Sequence, residues 1–154
     1  MAIAIQAEAS RSGRSLDRAV AAARTADNNR GREIVVLDLR ELTCVFDYFV
    51  LVTGTSRRQL HAISEEIDHT LQREFGDARL GIEGYAESRW ILLDYGDIVV
   101  HMFDEETRRY YDLEHLWAGA RQVAIEFDDP AGGERAVVDA SVAPRVADSG
   151  MIDG

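Results

Sequence analysis

Residues 90–117, WILLDYGDIVVHMFDEETRRYYDLEHLW, leave the chain little freedom. Two apolar runs with strand character, Trp90–Asp94 and residues 97–103, are separated by Tyr95 and Gly96 alone. Glycine accepts the positive φ that a two-residue hairpin turn demands. With Tyr95-Gly96 as the turn, Asp94 faces Asp97, Leu92 faces Val99 and Trp90 faces His101. Side chains alternate across a sheet. One face of the hairpin therefore carries Trp90, Leu92, Asp94, Asp97, Val99 and His101, and the other Ile91, Leu93, Ile98, Val100 and Met102. The second face is core. The first mixes an indole, an imidazole and carboxylates, which suits a covered or partner-binding face. Residues 104–117 have helical spacing, with Asp104, Glu105 and Glu106 at the end where the helix dipole favours acid.

The rest of the chain supplies partners for this hairpin. Leu16, Val20 and Ala23 recur at helical spacing from about Ser15, a candidate N-cap, and Gly31 supplies the break. Residues 33–39 read as a strand covered on both faces and residues 47–53 as a second strand. Ser56 and Gln59 have capping-box spacing ahead of a stripe formed by Leu60, Ile63, Ile67, Leu71 and Phe75, which Gly76 stops. Residues 77–89 read as a polar connection. The order α-β-β-α-β-β-α predicts an α/β fold, a mixed β-sheet with helices packed against it. Residues 1–14 read as a flexible lead and 119–154 as a mostly disordered tail, with one short strand expected over 123–127.

At 154 residues the chain is long enough for a real core and needs no disulfide or metal staple. Its single cysteine, Cys44, points to a reduced thiol, expected to be buried or half-buried and inert. There is no secretory signal and no apolar run of about 18 residues, so a cytoplasmic protein that does not cross a membrane is expected. All 17 basic residues are arginine and the formal net charge is −11. That balance argues against sequence-specific nucleic-acid binding and fits a basic protein partner, or simply a soluble surface.

Reactive constellations are weak. Gly54-Thr55-Ser56 at a strand-to-helix junction has amides that suit a phosphate. However, Asp94 and Asp97 flank a turn and cannot make a two-metal site. His61, His69, His101 and His115 lack metal-ligand spacing. No catalytic residues, metal or cofactor are expected. By contrast, Trp90, Tyr95, Tyr110, Tyr111 and Trp117 crowd together with Arg108 and Arg109, and these are residue types that anchor protein interfaces. Trp90 and Tyr95 are read as interface. Tyr110, Leu113 and Trp117 are read as sealing the helix onto the sheet.

Trp90, residues 93–101 (LDYGDIVVH), Arg109-Tyr110-Tyr111-Asp112-Leu113-Glu114 and Leu116-Trp117 resemble the ribosomal silencing factor family, RsfS or Iojap. Asp47-Tyr48-Phe49, Thr53-Gly54-Thr55-Ser56 and Glu83-Gly84 match it upstream, in order, so the resemblance covers residues 15–118 and not the tail. It implies an α/β sandwich distantly like the nucleotidyltransferase fold. It implies a cytoplasmic factor that docks on the fourteenth protein of the large ribosomal subunit, blocks joining of the small subunit and represses translation under nutrient limitation. It also implies a homodimer in the free state. The docking residues expected are Trp90, Asp94, Tyr95, Asp97 and His101, helped by Asp47, Tyr48 and Arg109. A nucleotidyltransferase-like enzyme is the alternative.

Overall fold

The computed structural model describes residues 2–127, with side chains from residue 14 onward. The chain divides into two units, Met1–Val123 and Ala124–Gly154. Of the second, only residues 124–127 are described, and they form no helix or strand. The tail expected over 119–154 therefore lies largely outside the described residues.

The first unit is built on two strands that run side by side, β2 (Tyr48–Gly54) and β5 (Ile98–Asp104), paired in parallel from Tyr48 opposite Ile98 to Gly54 opposite Asp104. All of β2 is buried, and all of β5 up to Phe103. Strands apolar on both sides belong at the centre of a sheet covered on both faces. β1 (Arg32–Asp38) adds to β2, and β4 (Trp90–Asp94) to β5, both antiparallel. β3 (Gly81–Glu83) and β6 (Arg121–Gln122) form the two edges, in the order β3-β4-β5-β2-β1-β6.

Helices α1 (Ala2–Asn28) and α2 (Arg57–Phe75) cover the face carrying Val36, Val50, Val52, Ile91, Leu93, Ile98, Val100 and Met102. α1 buries Ala19, Ala22, Ala23 and Ala26, and small side chains let it lie close to the strands. α2 buries Leu60, Ile63, Ile67 and Leu71, as its stripe predicts. Ser56 caps α2 by accepting from the Gln59 amide at 3.1 Å, a contact worth about 1 kcal/mol. Gln59 answers with Thr55 rather than with the cap residue, and its amide nitrogen reaches the carbonyls of Asn29 and Arg30 at the end of α1. Gly76 ends α2 in the left-handed conformation. The opposite face carries Leu37, Leu39, Phe49, Leu51, Val99 and Phe103, covered by Leu113 with Phe46 and Trp117 alongside. Leu113 begins α4 (Leu113–Leu116), which follows α3 (Glu105–Tyr111).

The observed order is α-β-β-α-β-β-β-α-α-β, longer than expected. β3 is a strand of three residues, too short for periodicity to reveal. The last helix breaks at Asp112, which takes φ 45°. Arg108 spans the break, donating to Glu114 at 2.6 Å and to the Thr53 hydroxyl at 2.9 Å, and Leu113 turns onto the core. α1 begins at Ala2, so Ser15 lies inside it and is not a cap. Its hydroxyl donates to Asp47 at 2.8 Å. The left-handed residue after α1 is Arg30 and not Gly31. Gly31 is needed for closeness instead, because a Cβ there would lie 2.9 Å from the Ala26 carbonyl oxygen. The extra strand falls at Arg121–Gln122, ahead of residues 123–127. Cys44 is exposed, and so is Tyr110.

The hairpin pairs Trp90 with Phe103, Leu92 with His101 and Asp94 with Val99, two residues off the expected register. Tyr95 donates its amide to the Ile98 carbonyl at 3.0 Å, so the turn is Gly96-Asp97. Asp94 fixes it by accepting from the Gly96 amide at 2.8 Å. A slip of two residues keeps every strand side chain on its face; a slip of one would have exchanged the faces.

Gly84 (φ 76°) backs directly onto β4: a Cβ there would stand 1.9 Å from the Trp90 carbonyl oxygen. Backbone cannot yield as a side chain can. Gly84→Ala is therefore expected to lower unfolding free energy by about 2–4 kcal/mol, through clash and positive φ together. Gly76→Ala, also at positive φ but with nothing within 4 Å, should cost roughly 1 kcal/mol. Denaturant titration of the two variants measures the difference.

Candidate functional site

Trp90 sits on β4 where, among the described residues, the cover over the sheet ends. It is half-buried, with ring-centroid distances of 5.0 Å to Phe103 and 4.8 Å to Tyr111. Tyr111 meets Tyr110 edge-on at 5.0 Å. Tyr110 is 81% exposed and Tyr111 51%. α3 places them there because Asp104 caps it, accepting from the Thr107 amide at 2.7 Å, while the Asp104 amide is bound to the Arg89 carbonyl at 3.0 Å. Positions three and four residues apart share a helix face, so Thr107, Tyr110 and Tyr111 come together above the strand. With Trp90, Arg89 and Glu87 they enclose a cleft of about 390 Å³. Of the residues lining this cleft the sequence assigned only Trp90 to the docking surface; Glu87, Arg89, Glu106, Thr107, Tyr110 and Tyr111 were not assigned to it. A tyrosine beside two arginines on a short helix was the available signal.

The other expected docking residues scatter. Asp94 stays half-exposed at the turn. Arg109 is exposed on α3 and paired with Glu105 at 3.2 Å. Tyr95 is 4% exposed on the α2 side, donating to Asp68 at 3.1 Å. Burial and that carboxylate push its phenol well above the usual value. Tyr48 is 1% exposed, with the Arg40 guanidinium 5.3 Å above its ring. Burial raises its phenol too, against the pull of Arg40. Asp97 and Asp77 both accept from the Arg18 guanidinium of α1. Burial alone would lower the arginine's pKa, but the two carboxylates more than reverse it. Asp47 takes the Ser15 hydroxyl, and its amide binds the Asp97 carbonyl at 2.7 Å. Trp90, Asp94 and Arg109 therefore have surface to offer, while Tyr48 and Tyr95 lie inside and Asp47 and Asp97 tie α1 to the hairpin.

His101 is also inside, 5% exposed, among Phe49 at 4.6 Å, Trp90 at 5.8 Å and Phe103 at 6.1 Å. Trp90 Nε1 donates to its Nδ1 at 3.1 Å. An indole nitrogen can only donate, so Nδ1 accepts and the proton sits on Nε2. Nε2 is enclosed and has no partner among the described residues. Such a stranded donor costs on the order of 1–3 kcal/mol. Burial pushes the imidazole down to about 4.

Two arrangements resemble reactive sites, and in each the groups are already engaged within the fold. The Ser88 hydroxyl lies 2.7 Å from His61 Nε2, and Ser88 is held at φ 58°. Yet the same nitrogen is 2.8 Å from the Tyr85 carbonyl, which can only accept. Nε2 therefore carries its proton and cannot act as base. The contact, with the Tyr85 ring stacked on His61 at 4.0 Å, pins the loop before Trp90 to α2. The second is a cleft of about 220 Å³ beside Gly54 and Thr55, which brings in Glu33, Asp104 and Glu105. Each carboxylate is already engaged: Glu33 by Thr53, Asp104 by the α3 cap and Glu105 by Arg109. Among the described residues no group of three or more His, Cys, Asp or Glu could hold a metal. No helix among them is long and apolar enough to cross a membrane.

His101 gives the fold a pH signature. Its folded pKa lies below the unfolded value near 6.5, so the unfolded chain takes the proton first as pH falls. Stability from this group is complete above about 6.5 and drains between there and about 4, with no further loss below. The amount is on the order of 3 kcal/mol. Denaturation from pH 7 to 4, compared with His101→Leu, should show that loss in the native chain and not in the variant.

A family model described as "Ribosomal silencing factor during starvation" matches residues 12–148, well into the tail that the sequence motifs did not reach. The Bacillus subtilis ribosomal silencing factor RsfS is 40% identical over 106 residues, 69% of this chain and 89% of that protein. A mouse protein named for mitochondrial assembly of the large ribosomal subunit is 36% identical over 92 residues, 56% of this chain and 39% of its own. A crystal structure from Chromobacterium violaceum superposes with a TM-score of 0.64 at 28% identity, covering 82% of this chain and 98% of that one. The mixed sheet, its helical cover and these matches agree: the chain belongs to the ribosomal silencing factor family.

Proposed function

We propose that this protein docks on the large ribosomal subunit through that subunit's fourteenth protein. There it blocks joining of the small subunit by occupying space, and so represses translation when nutrients are short. Family membership supports the role. The observation that carries the surface is the aromatic shelf of Trp90, Tyr110 and Tyr111, with Glu87, Arg89 and Glu106 around the same cleft. Large rings with a polar rim are what protein interfaces concentrate at their anchors. The formal charge of −11 favours encounter with a basic ribosomal protein. On this reading the protein is cytoplasmic and non-catalytic, and forms a homodimer when free. Tyr48, Tyr95, His101, Asp47 and Asp97 serve docking by holding the hairpin and the ring above it in place.

Co-sedimentation with purified large subunits tests the reading. Trp90→Ala combined with Asp94→Ala should weaken binding by roughly 2 kcal/mol or more, about thirtyfold, while the fold survives. Tyr110→Ala should weaken binding with little change in stability, because that ring is mostly in solvent. Undiminished binding by both variants would remove this surface. Calorimetry with a nucleoside triphosphate and magnesium addresses the enzymatic alternative: heat of binding there would overturn the non-catalytic reading.

A further inference from the structure

The imidazole of His101 is a poor filler for the place it occupies. Its pairing neighbours are Leu51 on β2 and Leu92 on β4, and Phe49 and Phe103 enclose it. An aliphatic side chain would pack there without stranding a donor. Among the described residues the histidine leaves Nε2 unsatisfied and uses one atom, Nδ1, to accept the Trp90 indole N–H.

Trp90 can satisfy that N–H in two ways. Turned inward to His101, the ring lies against Phe103 and Tyr111 and forms a wall of the cleft. Turned outward to water, it must leave those rings. We propose that His101 is the positioning residue for Trp90: from beneath the shelf it locks the indole inward and so pre-forms the surface a partner meets. The consequence for binding rests on the docking reading above, whereas the positioning rests on geometry alone. A side chain held in its bound pose before contact loses less freedom on binding.

The test uses the full chain carrying Trp117→Phe, so that of its two tryptophans only Trp90 reports. His101→Leu and His101→Asn are made in that background, the asparagine placing an amide oxygen near the Nδ1 position. Three quantities are read: hydrogen exchange and NMR shift of the indole N–H, affinity for large subunits, and the unfolding midpoint. With leucine, exchange of the indole proton should quicken and subunit binding fall by about tenfold, the worth of one hydrogen bond, while the midpoint holds or rises. Asparagine should restore part of both. An unchanged indole signal in His101→Leu overturns the proposal whatever binding does. A displaced indole with undiminished binding upholds the positioning and overturns the docking reading. Should the leucine variant fail to fold, the native chain decides: ring-nitrogen shifts that put the His101 proton on Nδ1 instead of Nε2 would sink the idea.

Discussion

The parallel pairing of β2 with β5 governs this molecule. Two neighbouring strands that are apolar on both sides require both faces of the sheet to be covered. α1 and α2 supply a full cover for one face. Among the described residues the other receives the short α3 and α4, seven and four residues long, with Phe46, Trp117 and Ala120 beside them. α3 lies against β2 and β5, and its Tyr111 reaches Trp90 on β4. Trp90 stands at that limit, its inner edge in the core and its outer edge beside two exposed tyrosines. Among the described residues, the surface read as the docking site lies where the helical cover ends.

Arginine holds both covers in place. Arg18 ties α1 to Asp77 after α2 and to Asp97 in the hairpin turn, joining three segments distant in sequence. Arg108 does the same for the other layer, bridging the break between α3 and α4 and reaching Thr53 at the end of β2. A guanidinium suits such positions because its forked donors meet several acceptors at once.

Reactive chemistry finds no support at either candidate centre. The serine beside His61 faces a nitrogen already protonated by its bond to a carbonyl, and the carboxylates near Gly54 cap, pair or hydrogen-bond within the fold. What remains open is shape: a cleft walled by aromatic rings, set by a buried histidine whose single useful atom points at the tryptophan.

The sequence by itself determined which face of the sheet each residue of β4 and β5 takes, though not that of Asp97, which falls in the turn and meets Arg18 of α1. The expected turn was misplaced, yet Trp90, Leu92 and His101 still share a face because strand parity survives a slip of two. It determined the start, stripe and stop of α2 as well, since Ser56, the apolar spacing and Gly76 act locally. Only the tertiary structure decided what lies over those faces. Periodicity cannot say that His101 is roofed by aromatic rings while Trp90 is half open, that Tyr95 turns toward α2, or that Tyr110 faces solvent. Nor can it reveal β3, too short to show a period, or the break at Asp112, which follows from Arg108 finding Thr53 fifty-five residues away. Local pattern fixes direction, whereas burial depends on which distant segment arrives to cover it.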